Sequence, residues 1–184
     1  MVEIQYTVLL KNCIILVGGL PGSGKTTFAK SLATRISARH INSDEVRAAH
    51  HLLGDYSTAT KNEVYRLMLQ QVENWVSESH TVVIDATFYL AQHRQEFFTL
   101  ANRYRLSLFF FLIIADEETI RDRVSRKRPL TEADFAVYQR VKKAFEPLDV
   151  PYCKLDSSHT DLEQMLNVAS NYLNVMPNDG LPRT

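Results

Sequence analysis

The chain has 184 residues, 45% of them hydrophobic and 23% charged, with zero formal net charge. That is enough for one domain with a continuous core, and it excludes a global field drawing in nucleic acid or anionic membrane. The most apolar run, Leu106 to Ala115, is too short to span a bilayer, and Glu3 interrupts any leader-like start, so a cytoplasmic setting is expected.

Residues 1–12 are read as an N-terminal arm, 13–173 as a single domain and 174–184 as a flexible tail holding two prolines and a glycine. Cys13 to Val17 is continuously apolar, as a parallel strand covered on both faces must be. Gly19-Leu20-Pro21-Gly22-Ser23-Gly24-Lys25-Thr26 follows, ahead of a helix with Phe28, Leu32 and Ile36 at helical spacing. This fits G-x-x-x-x-G-K-[ST] in its strand, loop, helix setting. Glycines let successive N–H groups curl around phosphate oxygens, and the helix start adds unsatisfied donors and a positive dipole end. Lys25 is expected on the outer phosphates and the Thr26 hydroxyl on Mg²⁺, with Thr27 closing the loop. A glycine-rich turn before a helix is the plain alternative. The strand, loop and helix together favour a bound nucleoside triphosphate.

A short strand near Arg39 to Asn42 leads into a helix reaching about Leu53, with Ser43 or Asp44 as its cap. Asp44 and Arg47 then stand at the same sheet edge as the loop. An Asp there can take a proton from an attacking hydroxyl, and the Arg can hold an anionic acceptor. The next helix puts Val64, Leu67, Met68, Gln71, Val72, Trp75 and Val76 on one face. Thr81 to Asp85 is a third buried strand, and its terminal Asp85 suits a Mg²⁺ shell or a substrate contact, with Thr87 beside it. A helix over Ala91–Tyr104 turns Phe97, Phe98 and Ala101 inward. On it Arg94 is read as a surface charge or an acceptor contact, and His93, like His50 and His51, as a surface residue.

Leu106 to Ile114 is the fourth strand, its phenylalanines read as core. Asp116 caps the helix that follows, which explains it better than a metal role for Asp116 and Glu117. Arg121 to Arg128 form a basic cluster, broken by Lys127-Arg128-Pro129, that suits a lid closing over moving phosphoryl charge. Arg123 and Arg126 are the first choices there, with Arg128 behind them. Thr131-Glu132-Ala133-Asp134 opens a further helix, Pro151 to Leu155 makes the fifth strand, and Asp161 to Leu173 the last helix. Strands alternating with helices imply a parallel three-layer α/β/α domain with ligand at the strands' carboxyl ends. Cys13 and Cys153 read as buried thiols, Ser23 as part of the loop rather than a nucleophile, and no zinc site is expected.

These motifs, with Phe145-Glu146-Pro147 after the basic cluster, resemble the AAA_33-type small P-loop kinases over residues 13–157. The likeness is strongest to the 5′-hydroxyl kinase domain of polynucleotide kinases. The resemblance implies an adenylate-kinase-like P-loop NTPase fold with strand order 2-3-1-4-5, Asp85 beside the loop, and an Arg-rich lid. It also implies ATP- and Mg²⁺-dependent transfer of the γ-phosphate to a hydroxyl of a small molecule or a nucleotide end, with Asp44 as base and Arg47 as clamp. General nucleic-acid binding is not expected. A switch GTPase or motor ATPase fits poorly, because N-K-x-D and D-x-x-G motifs are missing and Ala86, not Glu, follows Asp85. A nucleotide-binding regulator and a zeta-toxin-like sugar-nucleotide kinase stay open.

Overall fold

A computed structural model of the chain describes residues 12–126 and 134–175. The arm to residue 11, the lid break with Arg128, the Thr131–Ala133 opening and the tail beyond 175 lie outside them. The elements run β1 (Cys13–Gly18), α1 (Lys25–Arg35), β2 (Arg39–Asn42), α2 (Ser43–Ala49), α3 (Thr58–Ser77) and β3 (Val82–Asp85). They continue with α4 (Ala91–Tyr104), β4 (Ser107–Ile114), α5 (Glu117–Ser125), α6 (Phe135–Lys143), β5 (Cys153–Asp156) and α7 (Leu162–Val175).

The five strands form one parallel sheet in the order β2-β3-β1-β4-β5. Alternate residues of β1 feed two separate cores, which is why the strand reads as unbroken apolar sequence. Cys13, Ile15 and Val17 pack with Phe28 and Leu32 of α1 and Met165 and Leu166 of α7. Ile14 and Leu16 pack with Val64, Met68 and Val72 of α3 and Phe97 of α4. Helices therefore cover both faces, giving three layers.

Register sets up the site. Val17 of β1 and Asn42 of β2 both pair with Asp85 of β3, so the phosphate loop, Asp85 and the start of α2 leave the sheet side by side.

Several local expectations need correction. Asn42, not Ser43 or Asp44, caps α2, accepting from the amides of Asp44 at 2.8 Å and Glu45 at 3.0 Å. The helix also stops at Ala49 rather than near Leu53. On α3, Tyr65 turns inward and Gln71 outward. Asp134 caps α6 through the amide of Val137. The Phe109-Phe110-Phe111 run is buried as expected.

Candidate active site

The phosphate loop gets its shape from its glycines. Gly19 leaves β1 at φ 150°, and a Cβ there would lie 2.3 Å from the carbonyl oxygen of Ile113. Gly24, at φ 87°, caps α1 with no side-chain hydrogen bond, so the first amides of that helix have no local acceptor. Unsatisfied amides at the positive end of a helix dipole form an anion site. The loop is pinned from both sides. The Gly19 amide donates to the Thr87 carbonyl at 3.3 Å, while Arg123 donates to Gly22 O at 3.3 Å and to Ser157 at 2.8 and 3.0 Å. The Ser157 hydroxyl in turn donates to Ser23 O at 2.7 Å.

Two clefts flank this loop. One, of about 270 Å³, is lined by Lys25, Thr26, Asp44, Arg47, Thr87 and Arg140 among others. The other, of about 480 Å³, is lined by Gly24, Thr27, Arg123, Arg126, Ser157 and Met165 among others. The structure thus brings Lys25, Thr26, Asp44, Arg47 and Thr87 together and puts Arg123 and Arg126 on the opposite side of the loop. Arg126 is exposed and pairs with Asp122 at 2.7 Å.

Asn42 connects the parts beneath the first cleft. Its amide nitrogen donates to Asp85 Oδ2 and lies 3.5 Å from Thr26 Oγ1, while its oxygen caps α2. Sequence reading passed over it because Asn42, Ser43 and Asp44 are all good caps; the preference for Asn in that position was the available signal. Asp85 is fully buried, and its Oδ1 has no hydrogen-bond partner among the described residues. A buried carboxylate oxygen left alone is costly. An orphaned carboxylate oxygen, with a phosphate-loop hydroxyl joined to the same side chain through Asn42, offers the hard-oxygen donors that Mg²⁺ takes alongside phosphates and water. The residues present fit that ion. Asp116, by contrast, is occupied as a cap: the Thr119 amide donates to it at 2.6 Å, which holds its carboxyl below the ordinary range.

Arg47 is 6% exposed and gives Nη1 to the carbonyls of Asp55 at 2.6 Å and Leu52 at 3.4 Å. The Tyr56 ring centroid lies 4.8 Å from its guanidinium. His93, expected at the surface, and Arg94, expected as a surface charge or an acceptor contact, are both buried. Arg94 donates to Phe88 O at 2.9 Å and to Pro147 O at 2.7 Å, and so ties the loop after β3 to the segment after α6. Glu146 strengthens the same tie, taking the Ala91 amide at 2.5 Å and donating its own amide to Tyr89 O. His93 stacks on Tyr65 at 3.8 Å, and burial, aided by Lys61, pushes its pKa down to about 4. Both residues lie one turn before Phe97 and Phe98, a face that the helical period already marks as internal.

This sheet order, with the glycine loop on its central strand, defines a P-loop nucleotide-binding domain of the adenylate-kinase type. The chain belongs to the AAA_33 family: the family's model, described as an AAA domain, matches residues 14–148. Over 123 residues the chain is 28% identical to an uncharacterized protein of Mycobacterium tuberculosis, in a match covering 60% of this chain and 25% of that protein. The chain thus spans about a quarter of the length of that relative. It is 25% identical to the "Probable thymidylate kinase" of Methanocaldococcus jannaschii, over 92% of this chain and all of that protein. The structure of the APS kinase CysC of Mycobacterium tuberculosis with AMPPNP and APS superposes with a TM-score of 0.70 at 16% identity. That match covers 89% of this chain and 98% of the other, so the fold is that of a P-loop kinase.

Proposed function

We propose that the chain is an ATP-dependent kinase that moves the γ-phosphate to a hydroxyl of a small molecule or a nucleotide end. One observation carries this reading: Lys25, Thr26 and Asp44 line a single cleft at the carboxyl ends of the strands, with a second cleft across the loop. Phosphoryl transfer needs a donor, an acceptor and a group between them that takes the hydroxyl proton. That the APS kinase CysC was solved with both AMPPNP and APS supports a site that takes two ligands.

In this reading the loop amides and the start of α1 hold the outer phosphates, and Lys25 offsets charge as it spreads over the moving group. The donor's base and ribose occupy the cleft between Arg123 and Met165, where Arg123 and Arg126 face the phosphate chain. Asp44 accepts the proton from the acceptor hydroxyl, and Arg47 and Thr87 orient the acceptor. Thr26 and Asp85 hold the metal, directly or through water; when bound, it supplies charge neutralisation between the outer phosphates. The reading includes a cytoplasmic setting, in keeping with free cysteines at Cys13 and Cys153. Among the described residues no helix is long and apolar enough to cross a membrane.

The test is transfer of labelled phosphate from ATP with Mg²⁺ to a panel of sugars, nucleosides and oligonucleotide 5′ ends. Transfer to one class, lost in Lys25→Met, is the expected result. Rapid ATP hydrolysis that no hydroxyl compound alters, or a preference for GTP, overturns the reading.

A further inference from the structure

Among the described residues, the cleft that holds Asp44 is lined by more cations than carboxylates. Lys25, Lys30, Arg47, Lys61 and Arg140 line it, against Asp44 and Glu45. Lys25 is assigned above to the donor phosphates, and Lys30 pairs with Glu45 at 2.7 Å. Arg47, Lys61 and Arg140 make no ion pair among the described residues.

The environment of each is telling. Arg47 is nine-tenths buried, yet its Nε has no hydrogen-bond partner among the described residues. Asp55 attracts it electrostatically, but that carboxylate's hydrogen bonds come from the Ser57 amide at 2.9 Å and the Thr60 hydroxyl at 2.5 Å. Lys61 is half-buried at the fourth residue of α3, near the helix end whose dipole repels a cation. Its ammonium lies 3.4 Å from the Tyr89 hydroxyl and 5.7 Å from that ring's centroid. Burial is the main cause of the low pKa of His93, and Lys61 lowers it further by more than Glu146 raises it. Arg140 reaches the cleft from α6, between Val137 and Val141. A buried unpartnered donor and a cation at the wrong end of a helix both cost stability. Local rules broken in this way concentrate where a ligand completes them.

We propose that the acceptor carries an oxyanion of its own, a phosphate or carboxylate separate from the hydroxyl to be phosphorylated, held by Arg47 and Lys61 with Arg140 across the cleft. This rests on the kinase reading and narrows it, since a neutral sugar or alcohol leaves Lys61 without a counter-charge and the buried Arg47 Nε without a charged acceptor.

Calorimetry on the full chain saturated with AMPPNP and Mg²⁺ tests it with matched probes. Thymidine against its 5′-monophosphate reports a phosphate, and glucose against gluconate a carboxylate. The anionic member of at least one pair should bind tenfold or more tightly than its neutral counterpart, and the pair that does so names the oxyanion. Lys61→Met should remove that preference and keep AMPPNP affinity within twofold, while Lys61→Arg restores it. Arg140→Gln alters an exposed side chain and reads the same loss without disturbing the core. Equal binding within both pairs, or an anion preference untouched by both Lys61→Met and Arg140→Gln, overturns the proposal. The two readings fail separately. Lys61-dependent anion binding without phosphoryl transfer keeps this site and defeats the kinase. Transfer to a neutral alcohol, unchanged in Lys61→Met, does the reverse.

Discussion

The two clefts beside the phosphate loop are walled by different means. In the proposed reading the phosphate end of the donor cleft is largely backbone: loop amides, the bare start of α1, and carbonyls of Gly22, Ser23 and Ser157 tied by one arginine and one hydroxyl. The acceptor side is side chain, contributed by α2, the start of α3, the loop after β3 and α6. A backbone cradle binds what every nucleoside triphosphate shares. A side-chain wall can be rebuilt for a new acceptor without disturbing the cradle, so one fold serves many hydroxyl substrates.

The largest effect that would sharpen this contrast is at Asp44. Asp44→Asn should slow transfer by about 10²–10⁴-fold, roughly 3–5 kcal/mol of barrier. AMPPNP affinity, measured by calorimetry, should stay within about twofold, as expected when a group acts mainly in the transition state. Retained transfer would remove Asp44 as the base and weaken the division between clefts. On the donor side, Gly19→Ala drives a Cβ into the Ile113 carbonyl at a positive φ. A cost on the order of 3 kcal/mol in urea unfolding is expected, together with loss of nucleotide binding.

His93 tests the acceptor wall through pH. Its folded pKa, about 4, lies below its ordinary unfolded value, so the folded state binds fewer protons. The stability linked to it is fully present above about pH 6.5 and is lost as pH falls toward 4, on the order of 2–3 kcal/mol in all. His93→Phe should flatten the urea-unfolding profile over that window by this amount. An unchanged profile would mean that His93 is not held in this environment. The smallest effect belongs to Ser157→Ala, which removes two hydrogen bonds behind the loop, one donated to Ser23 O and one accepted from Arg123. It should cost about 1–2 kcal/mol and weaken AMPPNP severalfold, and leave anion preference in the other cleft intact.

The difference between the clefts also explains which parts could be read beforehand. The donor half is eight consecutive residues whose chemistry is backbone chemistry, so spacing alone announces it. The inner strands β1, β3 and β4 were legible for a related reason: strands covered on both faces must be largely apolar, and each of the five strands was expected within two residues of where it lies. Asn42 was hidden among neighbouring caps. Arg94 and His93 were misread because charge suggested solvent, although their place on the α4 face pointed inward. Lys61 and Arg140 gave no local signal, since a lysine and an arginine on helices ordinarily face water.

By itself, then, the sequence determined a phosphate-binding loop on a parallel α/β sheet, because consecutive residues dictate local backbone and burial. Tertiary structure decided which distant side chains share a cleft with Asp44. The pairing of Asn42 and Val17 with Asp85, and the tie from Arg94 and Glu146 to the loop at Phe88–Leu90, bring segments far apart in the chain to one edge. That convergence depends on register and crossover packing, which no single stretch of residues encodes.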